Sequence, residues 1–527
     1  MGPRVLISDR MDSGVVDVLE GIKGLIVDEN TELTPKELLG VIGEYDGLIV
    51  RSSTKVTEDV IQAGKRLRVI GRAGAGVDNI DVAAATRRGI VVMNTPGGNS
   101  TSTAEYSVGL LLALARQVPQ ATMSVRAGRW ERSNFTGVEL AGKTLGIVGL
   151  GKVGREVALR AGAFKMRILG HDPYVSAEAA LTFGAQMVPL HQLYAEADFI
   201  SVHMHLTEQT RHFISHEEIN LCKHGVRIIN CARGGIVDEQ ALFDGLQSGH
   251  IAGVALDVLE QEPPEECELL QHEAVICTPH IGASTKEAQA SVALQVAEQV
   301  GDVLVDKPIR NAVNVPSVEP EVFRILQPYL DLAEYLGRIQ AQLGIEQLDR
   351  ITVEYRGEVT NQPTSPITAA VLKGFMETIT DEIVNFVNAP IFAQERGLTL
   401  DELKSSDSED FASLITVIYH GETDRVLSGT IFGKNDPRIV RLDEYHFDAV
   451  PEGNMLFYIN DDIPGVIGRV GTIMGTHGVN IAQMSCGRHK VGGRALTILN
   501  VDSEVSDGVL TELLSSDFVR WATRVSL

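Results

Sequence analysis

Cysteine is scarce in this sequence and badly arranged for cross-linking. The 527 residues hold five, at 222, 231, 267, 277 and 486, with no CxxC pair and an odd one left over. That excludes a disulfide framework and leaves no zinc site or other metal centre to expect. Long apolar runs are lacking too, since the greasiest stretch, Val108 to Ala115, is far too short to cross a bilayer. Basic residues are outnumbered, 46 against 70 acidic, for a net charge of −24, and no long Lys/Arg run appears. Such a chain is not expected to bind nucleic acid or an anionic membrane through its overall field, and an anionic substrate would need a local basic pocket. The opening MGPRVLISDR reads as a short strand rather than a signal peptide, and Leu6 spoils a myristoylation pattern, so the expected location is cytoplasmic.

What is present is a soluble, globular composition, 44% apolar and 22% charged, in a chain long enough for roughly three or four domains. The most informative stretch is Thr144 to Pro173, TLGIVGLGKVGREVALRAGAFKMRILGHDP. An apolar run (Leu145 to Val148), the glycines Gly149, Gly151 and Gly154, a helical segment and a second apolar run closing on Asp172 form a dinucleotide fingerprint. Gly149 permits the tight turn, Gly151 removes a Cβ from the path of a pyrophosphate, and Gly154 lets helix and strand pack closely. The pyrophosphate is expected at the positive helix end. Asp172, twenty-three residues past Gly149, is placed for the adenosine ribose hydroxyls and against a 2′-phosphate, which favours NAD over NADP.

Before this stretch, strand-like runs (Val5 to Ser8, Gly24 to Val27, Gly47 to Val50, Val69 to Arg72, Ile90 to Met93) alternate with amphipathic segments, predicting a small α/β unit with a mainly parallel sheet. Two of its strands meet arginine, Arg51 in RSSTKVT and Arg72 in GRAGAGVDNID, where a carboxylate or phosphate can be clamped together with Ser52 and Ser53. NTPGGNSTSTAEYSVGLLLALAR, from Asn94, leads through a turn into an apolar helix. After Asp172, runs at Phe199 to His203, Val226 to Cys231, Gly253 to Val258 and Ala274 to Cys277 extend a buried parallel sheet. Arg233, Glu262 and His280 follow three of these strand ends. Alcohol oxidation by hydride transfer needs a base, a carboxylate to orient it and a cation for the substrate carboxylate, and these three residue types supply them.

GLGKVG with Asp172, NCARGGIVDE, ALDVLEQEPP and TPHIGAST together resemble the D-isomer-specific 2-hydroxyacid dehydrogenases, and RSSTKVT, GRAGAGVDNID and MNTPGGNS extend the likeness to the long form of that family. The resemblance implies a Rossmann-type dinucleotide domain (99–285) inserted in a flavodoxin-like substrate domain (1–98 and 286–316). An α+β intervening domain (317–453) and a C-terminal ACT domain (454–527) follow. Carried over by motif, Arg233 binds the substrate carboxylate and carbonyl oxygen, His280 is the acid/base and Glu262 its partner. Arg51, Ser52, Arg72, Gly74 and Asn99 line the substrate side. Lys152, Val153 and Met204 join the three glycines and Asp172 around NAD, with Cys231, Ala232, Asp257 and Gly282 near the nicotinamide. One departure is visible: VHMHL from Val202 puts His205 where the family usually has proline, which bears on the rigidity of that loop.

In the C-terminal third, NAVNVPSVEP (Asn311 to Pro320) reads as a linker, followed by an amphipathic helix (Val322 to Leu343), a strand (Arg350 to Tyr355) and a second helical stretch around Ala369 to Asn388. Lys434, Arg438, Arg441 and His446 are candidates for an anion pocket or for a solvated charged edge. From Met455 a strand, a DxPG turn, an amphipathic helix and GVNI resemble an ACT domain of ββαββα type. There Asn460, Asp462 and Asn480 would contact a serine effector at an interface between copies, within a homotetramer; dimerisation without a ligand is the other reading of the module. The implied reaction is NAD-dependent oxidation of 3-phospho-D-glycerate to 3-phosphohydroxypyruvate, the first step of L-serine synthesis. A glyoxylate or hydroxypyruvate reductase and a non-catalytic NAD-sensing scaffold share the central motifs and stay open at this point.

Overall fold

The computed structural model describes residues 2–316, 320–344, 347–407 and 410–527. The first sheet holds β1 (Arg4–Ile7), β2 (Ile26–Glu29), β3 (Gly47–Val50), β4 (Val69–Arg72) and β5 (Val91–Met93), all parallel, in the order β2-β1-β3-β4-β5. Its strands are near-continuous apolar runs because both faces are covered. One cover is the helix Lys286–Leu304, which returns from far along the chain and buries Val292, Val296 and Val300 on the sheet. The approach is close enough that a Cβ on Gly71, inside β4, would sit 2.5 Å from a Val300 methyl and 2.6 Å from a Val296 methyl.

The second sheet contains β6 (Thr144–Val148), β7 (Arg167–His171), β8 (Ala185–Met187), β9 (Phe199–Val202), β10 (Val226–Asn230), β11 (Ile251–Leu256) and β12 (Val275–Cys277). The order β12-β11-β10-β9-β6-β7-β8 is parallel throughout and reverses direction beside β6, so a crevice opens beyond the carboxyl ends of β6 and β9. The segment expected to be a linker starts later than predicted. Val313 N–H donates to Val92 O at 2.8 Å, and the Asn314 amide donates to Ile90 O at 2.9 Å while accepting from Val92 N–H at 2.9 Å, so 311–314 is stitched to the edge of β5. An asparagine side chain here does the work of a backbone partner, which prolines nearby conceal in the sequence. Residues 317–319 lie outside the described residues.

The third sheet is β13 (Arg350–Gly357), β14 (Thr399–Ser405), β15 (Ser413–His420), β16 (Arg425–Phe432), β17 (Asp436–Leu442) and β18 (Tyr445–Ala449), in the order β14-β13-β15-β16-β17-β18. The helices Pro320–Leu343 and Ser365–Ile379 pack on it and on each other, crossing where Gly337 faces Val371 O and Gly374 faces Glu334 O with no room for a Cβ on either. The predicted helix Ala369 to Asn388 instead starts at Ser365 and stops at Ile379. It ends where Thr380 turns extended, at φ −138° and ψ 148°, and the later part of the predicted stretch is a turn in which Asn388 Oδ1 accepts from Asn385 N–H at 2.8 Å and Asn385 Oδ1 from Val387 N–H at 2.9 Å.

The last sheet, β19 (Asn454–Asp461), β20 (Ile481–Arg488), β21 (Arg494–Val501) and β22 (Val519–Ser526), is antiparallel in the order β20-β21-β19-β22. Helices Val466–Thr476 and Asp507–Leu514 follow β19 and β21, so the order is βαββαβ rather than the ββαββα expected. Those helices cover one face, burying Leu456, Val470 and Leu499. The other face, with Met455, Phe457, Leu496 and Ile498, joins Leu332, Leu336 and Ile339 of the Pro320–Leu343 helix in one continuous core. The third and fourth sheets are therefore a single packed unit. It meets the first through Asn385 Nδ2, which donates to Gly89 O at 2.8 Å, and through Arg87 and Glu395, paired at 3.0 Å. Among the described residues no helix is long and apolar enough to cross a membrane.

Candidate active site

The glycine turn is built as the spacing demands. Gly149 follows β6 with φ +94°, and a Cβ on it would overlap the His203 carbonyl after β9. A Cβ on Gly154 would overlap Gly149 O, so helix Lys152–Ala163 lies hard against the turn. Gly151 has nothing within 4 Å of its missing Cβ and faces open space at the helix N-terminus. Asp172, just past β7, accepts from Leu150 N–H and Tyr174 N–H, both at 2.8 Å, and so ties the turn to the acid.

This space belongs to a cleft of about 460 Å³. Gly151, Lys152 and Val153 form one wall, Met204 and His205 another, and Cys231, Ala232, Asp257 and Gly282 a third; Asn99 lines it too, on the helix side rather than among the arginines. Lys152 Nζ reaches Pro96 O at 3.0 Å. Cys231 is buried, and burial pushes its thiol up to about 12, so it stays a neutral packing group. The open glycine wall, the helix N-terminus and the acid after β7 fit a dinucleotide.

A second cavity of about 740 Å³ lies beside the first, lined by Ser52, Lys55, Arg72, Asp78 and Asn79 from the first sheet's loops and by Leu259 and Glu262 from the second. Arg233 and His280 line both cavities. Arg233 is held by Asn230, whose amide donates to Arg233 O at 2.9 Å and accepts from Ala232 N–H at 3.0 Å. Its guanidinium lies 3.6 Å from Asp78 and so close to Gly76 that a side chain there would collide with it. Burial, with Arg233 and Arg51 nearby, pulls Arg72 below the usual arginine range against the opposing pull of Asp78, and Arg72 Nε is buried without a hydrogen-bond partner. Arg51 is placed differently from expectation: its guanidinium turns to Arg10 O at 3.2 Å, and Gly74 packs beside the Arg72 head. Lys55, Asp78 and Asn79 also line this cavity without being singled out by the sequence, where their signal is only position, on loops after parallel strands.

His280 Nδ1 lies 2.7 Å from Glu262 Oε2. A carboxylate only accepts, so Nδ1 carries the proton and the Nε2 lone pair is the free one. Burial opposes ionisation of Glu262, but the bonds from His280 and from Leu259 N–H at 3.0 Å, with the Arg233 charge, hold it below the usual carboxylate range. His280 has φ +53°, a conformation that costs an ordinary residue on the order of 1 kcal/mol. Asp257 maintains it: its buried carboxylate accepts from Thr278 Oγ1 at 2.7 Å, Ile281 N–H at 2.9 Å and Gly282 N–H at 2.7 Å.

The three effector candidates are each partnered within the chain. Asn460 is buried in β19 and its amide donates to Asp461 O, Asp462 accepts from Gly492 N–H at 3.1 Å, and Asn480 donates to Asp502 at 2.6 Å. Of the basic cluster, Arg438 pairs with Asp436 at 2.8 Å and Asp448 at 3.1 Å, and Arg441 Nε donates to Asp443 O at 2.8 Å, so both charges are met locally.

Comparison with known proteins gives the class first. The D-isomer-specific 2-hydroxyacid dehydrogenase NAD-binding domain matches residues 108–282, which makes the protein an NAD-dependent dehydrogenase. Over about 60% of the chain the fold agrees with solved members: a glyoxylate reductase from Paecilomyes thermophila is 32% identical with a TM-score of 0.54, covering 59% of this chain and 98% of its own. A D-lactate dehydrogenase from Aquifex aeolicus, solved with NAD and lactic acid, is 28% identical with a TM-score of 0.52, covering 60% and 100%. The D-3-phosphoglycerate dehydrogenase intervening domain matches 325–443 and the ACT domain 455–517. D-3-phosphoglycerate dehydrogenases of Synechocystis sp. and Bacillus subtilis are 43% and 41% identical, covering 99% and 97% of this chain and 95% and 97% of their own. The chain belongs to the D-3-phosphoglycerate dehydrogenase family.

One residue of the cleft yields a stability prediction. Burial beside Ser201, whose hydroxyl is 2.8 Å away, pushes His203 down to about 4 from about 6.5. The unfolded chain therefore binds the extra proton first, so this histidine costs nothing above about pH 6.5 and destabilises progressively as pH falls toward 4. Thermal unfolding should fall less steeply between about pH 7 and pH 5 in His203→Gln than in the wild type; parallel curves would contradict the assignment.

Proposed function

We propose that this chain oxidises 3-phospho-D-glycerate to 3-phosphohydroxypyruvate with NAD, the first step of L-serine biosynthesis, in the cytoplasm. The observation that carries the reading is that His280 and Arg233 stand on the boundary of two cavities, one with a glycine-walled helix end and one with Arg72, Ser52 and Lys55. A small hydroxy acid bridging that boundary has its carboxylate at Arg233, its phosphate toward Arg72, and its carbinol at His280. NAD, when bound, supplies the hydride acceptor, and Asp172 selects it over the 2′-phosphorylated cofactor by repulsion. The chain's own part is the proton: Nε2 of His280 takes it from the hydroxyl, Glu262 balances the imidazolium through Nδ1, and Arg233 steadies the oxygen that becomes a carbonyl. Arg51 serves the phosphate by charge rather than by lining the pocket, and Asn99 serves the cofactor side.

Reduction assays with NADH and phosphohydroxypyruvate, glyoxylate or pyruvate test the substrate. The phosphorylated keto acid should have much the highest kcat/KM; preference for glyoxylate would make this a glyoxylate reductase, and turnover of none a sensing scaffold. In His280→Ala we expect kcat to drop by about 10²- to 10⁴-fold with NAD affinity near normal. A variant keeping most of its kcat would refute the base assignment.

For regulation, the ACT domain suits serine, bound near the turn of Asp462 with Asn460 and Asn480. Removing the domain is a poor test because it would strip a face from the shared core. Serine should instead inhibit the intact enzyme, and Asp462→Ala should weaken that inhibition at unchanged basal activity; a wild type indifferent to serine removes the proposal.

Val118, Met123, Val125 and Trp130 form an exposed apolar surface around helix Val118–Arg126, Trp130 being 77% exposed, and it suits a second copy of the chain. Sedimentation velocity should show a homotetramer, with smaller species for Met123→Glu; a monomeric wild type would exclude the assembly.

A further inference from the structure

A buried acid in the first sheet has no part in the chemistry above. Asp9 follows β1 and is 4% exposed. Its oxygens accept from Arg51 N–H at 2.6 Å, from Thr54 N–H at 3.1 and 3.2 Å, and from the Thr54 hydroxyl at 2.7 Å. The loop after β3 thus folds around a carboxylate. Strand order reverses between β1 and β3, so this happens at the first sheet's own crevice.

The neighbouring loop is bound to it. Asn79 Nδ2 donates to Arg51 O at 2.8 Å and Thr54 O at 2.6 Å, and Val56 N–H donates to Asn79 O at 2.8 Å. Ser52, Lys55 and Asn79, which line the larger cavity beside Arg72, therefore hang on one hydrogen-bonded assembly with Asp9 at its base.

Two effects of the acid oppose each other. As a negative charge beneath a cavity meant for an anion, it weakens anion binding by simple Coulomb repulsion, while easing the crowding of Arg51, Arg72 and Arg233. As the acceptor that fixes the Arg51–Thr54 loop, it sets the distance between Ser52 and the Arg72 head, and a loop misplaced by an ångström loses its bonds to a bound group. Burying an ion is costly unless its lone pairs are taken up, and here both oxygens of Asp9 are. Three strong donors converging on both oxygens say that the geometric effect dominates.

We propose that Asp9 is a positioning residue for the phosphate side of the substrate cleft, acting through the Arg51–Thr54 loop. This rests on the substrate reading above. The sign of one change decides between the two effects. Asp9→Asn removes the charge but also faces the Arg51 N–H with an amide that cannot accept at both positions. If geometry governs, KM for phosphohydroxypyruvate should rise about tenfold in Asp9→Asn, with kcat and the KM for NADH within about twofold of wild type and kcat/KM for glyoxylate little changed. Thr54→Val, which keeps the shape and loses the hydroxyl donor, should move the same KM in the same direction, and Thr54→Ser should restore it.

An unchanged or lowered KM for the phosphorylated substrate, or equal losses with glyoxylate, would overturn the proposal. Should Asp9→Asn fail to fold, the Thr54 pair decides by the same criteria. A wild type that used glyoxylate as well as the phosphorylated acid would instead sink the substrate reading before any variant was compared.

Discussion

The catalytic half depends on one buried carboxylate holding a strained turn. Asp257 sits at the end of β11, 1% exposed, and takes the N–H groups of Ile281 and Gly282 with the Thr278 hydroxyl. Those bonds fix the chain on both sides of His280 in its left-handed conformation, in which Nδ1 meets Glu262. A charge-assisted bond to a buried acid contributes about 1.5–3 kcal/mol, enough to offset the conformational cost. The imidazole is therefore placed by the backbone that carries it, with its own contacts confined to the acid and the cleft.

The second constraint is electrostatic. A chain of net charge −24 has little general attraction for a phosphorylated acid, and it gathers Arg51, Arg72 and Arg233 from three strand ends to make a local exception. The cationic groups repel one another, and the acids around them answer that repulsion at different depths. Asp9 is buried below the cluster and carries loop geometry, whereas Asp78 stands at the surface 3.6 Å from Arg233 with most of its side chain in water. An exposed pair of that length contributes little to stability, so it can be exchanged for a substrate anion at small cost.

Much of this was legible in the sequence because parallel-strand runs and glycine spacing are local signals. Gly149 and Gly154 have the steric reasons that the spacing alone foretold, and the strands at β3 and β4 fall where the apolar runs do. What escaped prediction depends on side chains imitating backbone. Asn314 completes the edge of β5 and turns an expected linker into part of a sheet, and Asn385 with Asn388 builds a turn where a helix was expected to run on. Arg51 escaped for another reason: its position after β3 is right, but the direction of its head is set by Arg10 O, a contact from a distant strand end. The glycine crossing of Gly337 and Gly374 is likewise invisible until two helices are known to touch.

The same asparagines bear on how the two halves of the molecule communicate. An effector can act on the cleft only by binding two states of the protein unequally. One core joins the third and fourth sheets, so the ACT face and the intervening sheet are packed as one body. Within one chain the unit meets the first sheet at the turn after helix Val82–Arg87, where Asn385 and Asn388 crowd the glycine at 89 and Val387 enters the first sheet's core. That helix begins at Asp81, on the wall of the larger cavity beside Asp78 and Asn79. Six residues of helix, about 9 Å, therefore separate the C-terminal unit's foothold from the loop that stitches the anion pocket together.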